Sequence, residues 1–152
     1  MGPFEVIKIG PNKYNELHMK MKNVNKILGW SHARAIENVI GHRDVSLAVA
    51  DQFGDESIIK SALFEKAKNI ELVQMHKAER DISVAAASIL ARETFLKAIQ
   101  DQKLKYSFDF PLGANNHVIE TGIMFAKKNG LKMLDEVAKT HFKTLDNIKQ
   151  KL

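Results

Sequence analysis

The chain has no cysteine, so disulfides and thiolate metal sites are excluded from the outset. Its six histidines show neither an H-x-x-x-H nor an H-E-x-x-H spacing, which sets aside the helical zinc motifs. No apolar run approaches the roughly 18 residues of a membrane span. The start "MGPFEVIKIG" lacks the basic-then-apolar order of a signal peptide. The expected location is therefore cytoplasmic, with no membrane partner. With only three prolines and eight glycines, and no repeat, low-complexity tract or flexible linker, nothing divides the chain. A single domain over residues 1–152 is the expectation.

What is present is the material of a packed core. Of 152 residues, 45% are hydrophobic and 27% charged, the balance of a soluble globular protein. The net charge of +5 is uneven: residues 1–76 contribute +1 and residues 77–152 contribute +4. A basic half suits a polyanionic partner such as nucleic acid, because basic side chains displace counterions from phosphates. The same excess is ordinary in metabolic enzymes of similar pI, so charge alone leaves the partner open.

Hydrophobic periodicity alternates between strand and helix patterns. "FEVIKI" (4–9) predicts a short strand ending at the Gly10-Pro11 breaker. Residues 12–42 carry apolar positions at three- and four-residue steps and predict a helix bent at Gly29. "VSLAVADQF" (45–53) is mostly a continuous apolar run, as expected of a strand buried on both faces, and it meets an acid. A helix over 56–68, a strand over 71–75 and a long helix over 82–103 follow. Two or three helices occupy the rest, from His117 onward, punctuated at Gly130 and around His141. This order predicts an α/β fold, a sheet flanked by helices with a helical C-terminal part.

The stretch "QMHKAERDISVAAASILARETFL" (74–96) sets a block of charges against a segment that is small or apolar on all sides. Such a helix is expected to lie close against a sheet, with Lys77, Glu79, Arg80 and Asp81 at the sheet's end, where sites in layered folds commonly form. Asp51 ends the most buried-looking strand, and Glu79 lies between the next strand and the long helix. If those strands are neighbours, both acids project from one region and make a hard-oxygen site suited to Mg²⁺ or Mn²⁺. The plainer readings are that Asp51 opens the turn "DQFG" and that Glu79 favours a helix N-terminus.

Six ordered stretches bear on that choice: "KYNEL" (13–17), "NVNKILGWSHARAI" (23–36), "VADQF" (49–53), "KAERDISVAAASILAR" (77–92), "FPLGA" (110–114) and "AKTHFKT" (138–144). In this order they resemble ribonuclease HIII over nearly the whole chain. The resemblance implies a ribonuclease H-like fold and cleavage of the RNA strand of RNA/DNA hybrids with Mg²⁺ or Mn²⁺. It further implies an active site of four acids in the order Asp, Glu, Asp, Glu. The third falls in D-Q-F and the fourth in K-A-E, which here are Asp51 and Glu79 as metal ligands and catalytic residues. Lys77, Arg92, Asn25 and His32 become candidates for holding the hybrid backbone. Trp30 and Phe53 are read as core rather than as base-stacking platforms, and the seven lysines from Lys127 to Lys151 as a solvated face that could flank a substrate.

One part of the family pattern has no counterpart here. The first two acids belong to a glycine-rich D-E-S-G-K-G-D motif on the first strand, upstream of K-Y-N, and only Glu5 precedes K-Y-N in this sequence. The expectation is an incomplete mixed sheet with an unpaired apolar edge on "VSLAVA", which an N-terminal partner chain or a homo-oligomer would complete. Alone, the chain is expected to lack half the ligands. The alternative reading is a non-catalytic module that binds nucleic acid or a partner on the same scaffold. A third is a structural fragment without independent function.

Overall fold

The computed structural model describes residues 4–152. Helix α1 spans Pro11–Met21, α2 Val24–His42 and α3 Ser57–Lys60, and the long α4 spans Ile82–Tyr106. Helix α5 spans Asn116–Asn129, α6 Leu134–Val137 and α7 Lys143–Gln150. Strands β1 (Leu47–Asp51) and β2 (Glu71–Met75) pair in parallel, with Ala48 opposite Leu72 and Asp51 opposite Met75. The α/β expectation holds, with the sheet reduced to this pair among the described residues.

The chain folds as two compact units. One takes in the chain up to Lys8 together with Met21–Thr94; the other comprises Ile9–Lys20 and Phe95–Leu152. In the first unit α2 packs on α3. Gly29 is buried in that contact: a Cβ there would stand 2.7 Å from Ile58 Cγ2 and 2.8 Å from the Ile58 carbonyl oxygen. Glycine at this position thus allows two backbones to approach closely. Ile27, Ala33, Ile59, Ala67 and Ala78 are buried alongside. Glu37 on α2 accepts from the Ala67 and Lys66 amides at 2.9 and 3.3 Å, fixing the turn that leads into β2.

Several expectations are corrected here. Residues 4–9 form no strand. Glu5 instead reaches α2, accepting from Asn38 Nδ2 at 3.4 Å and lying 3.6 Å from His42 Nε2, because no strand among the described residues offers this segment a ladder. The helix expected over 12–42 breaks at Lys22, whose φ of 51° is left-handed, and restarts at Asn23. The Asn23 side chain accepts from the Asn25 and Lys26 amides as an N-cap. The interruption is therefore not at Gly29. The helix over 56–68 shortens to α3 and a 3₁₀ turn, Ala67–Asn69. In β1 only Ala50 is buried, and Leu47 and Asp51 are exposed, so the strand is not covered on both faces. Helix α4 is likewise far from enclosed: Ile82 is 87% and Ile89 70% exposed. They fall at positions i and i+7, with Ala86 between them at i+4, so one apolar stripe faces outward. A two-stranded sheet is too narrow to cover it. Trp30 and Phe53 are half-buried, and Arg34 lies 3.9 Å over the Phe64 ring and 5.9 Å over Trp30.

The core of the second unit is built on the fully buried Phe125, with Ile119, Ala126, Leu134 and Ile148. Tyr106, Phe108 and Phe110 meet Phe125 edge-on at centroid distances of 5.6, 5.3 and 5.3 Å, the offset geometry that aromatic quadrupoles favour. Helix α5 opens at Asn115, whose side chain accepts from the Val118 amide, and stops at Gly130, whose φ of 92° suits glycine. Helix α1 is stapled into this unit by Asn15. Its Nδ2 donates to the carbonyls of Ala138 and Asp135 at 2.9 and 3.2 Å, and its Oδ1 accepts from the Thr140 amide at 3.0 Å.

Candidate active site

Parallel pairing brings the C-terminal ends of β1 and β2 side by side, and the register carries Asp51 to the level of Met75. Beyond β2 the chain turns through Lys77, which adopts a left-handed conformation with φ 56° and ψ 42°. For a non-glycine residue that conformation costs about 1–2 kcal/mol. It directs the following 3₁₀ turn, Ala78–Arg80, back toward β1. There the Ala78 amide donates to Asp51 Oδ1 at 3.1 Å. The residue that follows Ala78 is Glu79, so the turn bonded to Asp51 also carries an acid 28 positions further along the sequence.

Both acids are exposed. Asp51 accepts a single hydrogen bond, and the Glu79 carboxylate has no hydrogen bond or ion pair among the described residues. Such oxygens are free for a hard cation. The described residues hold no group of three or more potential metal ligands. Helix α4 begins just beyond, and Asp81 caps it by accepting from the Ser83 hydroxyl and amide, which holds the Asp81 carboxyl below the usual carboxylate range.

The other candidates divide. His32, on α2, lies with its ring 5.2 Å from Phe53 in a tilted contact. Burial pushes its imidazole below the ordinary histidine value, and the Asp51 charge partly opposes that shift, which puts His32 in the field of the site. Asn25, half-buried in the first turn of α2, flanks Gly54: a Cβ on Gly54 would come 3.4 Å from Asn25 Nδ2. It therefore borders the turn after Asp51. Lys77 is exposed at the left-handed position beside the acids. Arg92 is exposed ten residues past the first residue of α4, a rise of about 15 Å, and is not gathered with the others.

Sequence reasoning missed what orients these groups. The Ala78 amide is a backbone donor with no side-chain signature. Gln52 continues the ladder from its amide to the Met75 carbonyl at 3.1 Å, and Gln74 Nε2 donates to the Glu56 carbonyl at 2.8 Å, tying the turn after β1 to β2. The one available signal was the alanine between Lys77 and Glu79, which is fully buried and so demands a small residue.

The sequence pattern of the Ribonuclease HII family matches residues 5–145. The chain belongs to this family. Among curated proteins it is 43% identical over 147 residues to the ribonuclease HIII of Chlamydia pneumoniae and 38% identical over 145 residues to that of Protochlamydia amoebophila. Each match covers 95% of this chain, but 49% and 48% of the respective relative. The chain thus spans about half the length of the curated relatives it matches. Its fold is shared with a crystal structure of Bst ribonuclease HIII in complex with Mn²⁺, at a TM-score of 0.84 and 22% identity, covering 93% of this chain and 48% of that one. Aquifex aeolicus ribonuclease H3 matches at a TM-score of 0.66 and 28% identity, over 88% of this chain and 46% of its own. The ribonuclease H-like fold and the resemblance to ribonuclease HIII therefore stand. No helix among the described residues is long and apolar enough to cross a membrane.

Proposed function

We propose that this chain supplies the third and fourth acids of a ribonuclease HIII-type endonuclease that hydrolyses the RNA strand of RNA/DNA hybrids, within one ribonuclease H-like domain. The observation that supports the reading is the 3.1 Å bond from the Ala78 amide to Asp51, which ties Asp51 to the turn that carries Glu79 in a chain of this family. Two exposed carboxylates at a strand end fit Mg²⁺ or Mn²⁺, ions held by one or two carboxylates while waters and substrate phosphate complete the shell. Asp51 and Glu79 would hold the ion. Divalent cations held there would supply an activated water at one ion and charge stabilisation of the departing 3′ oxygen at the other. The chain's own part is to orient a ligand: the Ala78 amide bonds one oxygen of Asp51, and the other has no hydrogen-bond partner among the described residues. Lys77, Asn25 and His32 border the acids and are assigned to the hybrid backbone; Arg92, further along α4, is assigned to phosphate beyond the site. A cytoplasmic location belongs to the same proposal, since the family acts on nucleic acid.

The same reading holds that the chain needs a second segment. Two ligands hold such an ion weakly, and the free edge of β1 and the outward stripe Ile82, Ala86 and Ile89 offer apolar surface for a covering partner. The partner is assigned as an N-terminal segment bearing the two remaining acids, with self-association as the other way to cover the edge. The test is hybrid cleavage by the purified chain, alone and mixed with an N-terminal segment of a ribonuclease HIII, with Mg²⁺ or Mn²⁺ present. Cleavage only on mixing, abolished by Asp51→Asn, is the expected result. Cleavage by the chain alone that survives Asp51→Asn refutes the assignment. Salt-sensitive hybrid binding without cleavage in any mixture would favour the non-catalytic module.

A further inference from the structure

Outside that site, the second unit holds an aromatic stack that the proposed hydrolysis does not use. The rings of His18, on α1, and His141, in the segment before α7, lie 3.9 Å apart with 22° between their planes. Tyr14 approaches His141 at 5.5 Å, and the Phe142 ring lies 4.0 Å from it. Both ring nitrogens of His141 and the hydroxyl of the buried Tyr14 have no hydrogen-bond partner, so neither nitrogen has a protein acceptor that a second proton could satisfy. We infer that His18 and His141 form an acid-released clasp: the neutral ring pair holds α1 against the segment before α7, and protonation of both rings lets α1 go.

The groups that face the pair do not rescue its charged form. From α1, Glu16 is already engaged by Lys13 at 2.8 Å, and Tyr14, raised above the ordinary phenol value by burial, stays neutral. From α6, Asp135 accepts the Thr140 hydroxyl at 2.9 Å. From the same segment as His141 comes a further positive charge, the Lys139 ammonium, 4.3 Å over the Tyr14 ring. Burial first, then the neighbouring His18 and Lys139 charges, push His141 below the ordinary histidine value. A cavity of about 240 Å³ borders Asn12, His18, Thr140 and His141. The unfolded segment takes up protons more readily than the clasped one, so the clasp is intact above the ordinary histidine value and weakens as pH falls through it.

The experiment is hydrogen exchange on the full chain at pH 7.5 and 5.5, corrected for intrinsic rates, together with NMR titration of the histidine rings. Because the clasped pair resists protonation, amides of residues 14–18 should lose more protection on acidification than those of α5. His18→Phe keeps a ring in the stack and removes one of the charges that oppose protonation of His141, so its α1 should lose less protection on acidification than that of the unmutated chain. Equal losses in α1 and α5 of the unmutated chain, or the same α1 loss in His18→Phe, would overturn the clasp. The ring titration does not depend on the variant folding: His141 in the unmutated chain should titrate below the ordinary histidine value, and titration at or above that value would equally overturn it. None of these readouts depends on nuclease activity.

Discussion

Replacing Gly29 and Gly41 with alanine should have opposite consequences, although both lie in α2. In an exposed helix interior the substitution stabilises by about 1 kcal/mol, since alanine has less backbone freedom to lose. Gly41 is exposed, with nothing within 4 Å of its would-be Cβ, so most of that gain should appear there, reduced by fraying near the helix end. At Gly29 the new methyl meets the Ile58 carbonyl oxygen at 2.8 Å and carbon at 3.2 Å, and backbone cannot swing aside as the Cγ2 methyl at 2.7 Å could. Overpacking of this kind typically costs about 1–3 kcal/mol, and the fixed backbone argues for the upper part of that range. Set against the propensity gain, a net loss of about 1–2 kcal/mol remains. With a urea slope of about 2 kcal/mol/M for a chain of this size, the midpoint for Gly29→Ala should fall by about 0.5–1 M, while that for Gly41→Ala stays or rises. Urea titrations followed by helical circular dichroism at fixed pH make the comparison. A Gly29→Ala chain as stable as Gly41→Ala would show that α2 and α3 do not pack as closely as described.

Asp51→Asn should leave the fold intact, because its amide oxygen still accepts from Ala78, yet weaken Mn²⁺ binding by more than tenfold, beyond the lower end of the roughly 10–100-fold cost of losing an outer-shell partner. Mn²⁺ electron paramagnetic resonance measures this, and unchanged affinity would remove Asp51 from the ligand set. Asp81, held below the usual carboxylate range by the Ser83 hydroxyl and amide, stabilises the start of α4 above the ordinary aspartate value of about 3.9. That support should vanish as pH falls through the lower folded value, and in Asp81→Asn the helical signal should respond less to acid. Hybrid affinity should fall as salt rises, in keeping with the +4 charge of residues 77–152, and a flat dependence between about 50 and 200 mM would argue against phosphate contacts.

What the sequence revealed and what it concealed follow from the range of the forces involved. Strand β2 and the start of α4 were legible because their patterning and breakers are local: the apolar run at 71–75 and the charged turn before Ile82. The approach of the Ala78–Arg80 turn to Asp51 was legible only conditionally, on the two strands being neighbours, which they are. The break at Lys22 was hidden because a lysine carries no sign that its backbone will turn left-handed. The residues 4–9 stretch and the exposed stripe of α4 were misread for one reason: periodicity reports what a segment could bury, not whether a partner is there to bury it. The histidine stack escaped the spacing search because His18 and His141 meet across 123 positions and through ring faces, not through shared ligand geometry.

The anchoring of Asp51 by the Ala78 amide has an evolutionary consequence. A side-chain donor can be lost by any of many substitutions, but a peptide N–H is present in every amino acid except proline. The aim of the acid is thus inherited with the backbone, and the position that aims it can drift freely in hydrogen-bonding chemistry provided its side chain stays small. The sequence record of such a site would show the carboxylates and a small residue beside them, while the donor that steers them leaves no mark.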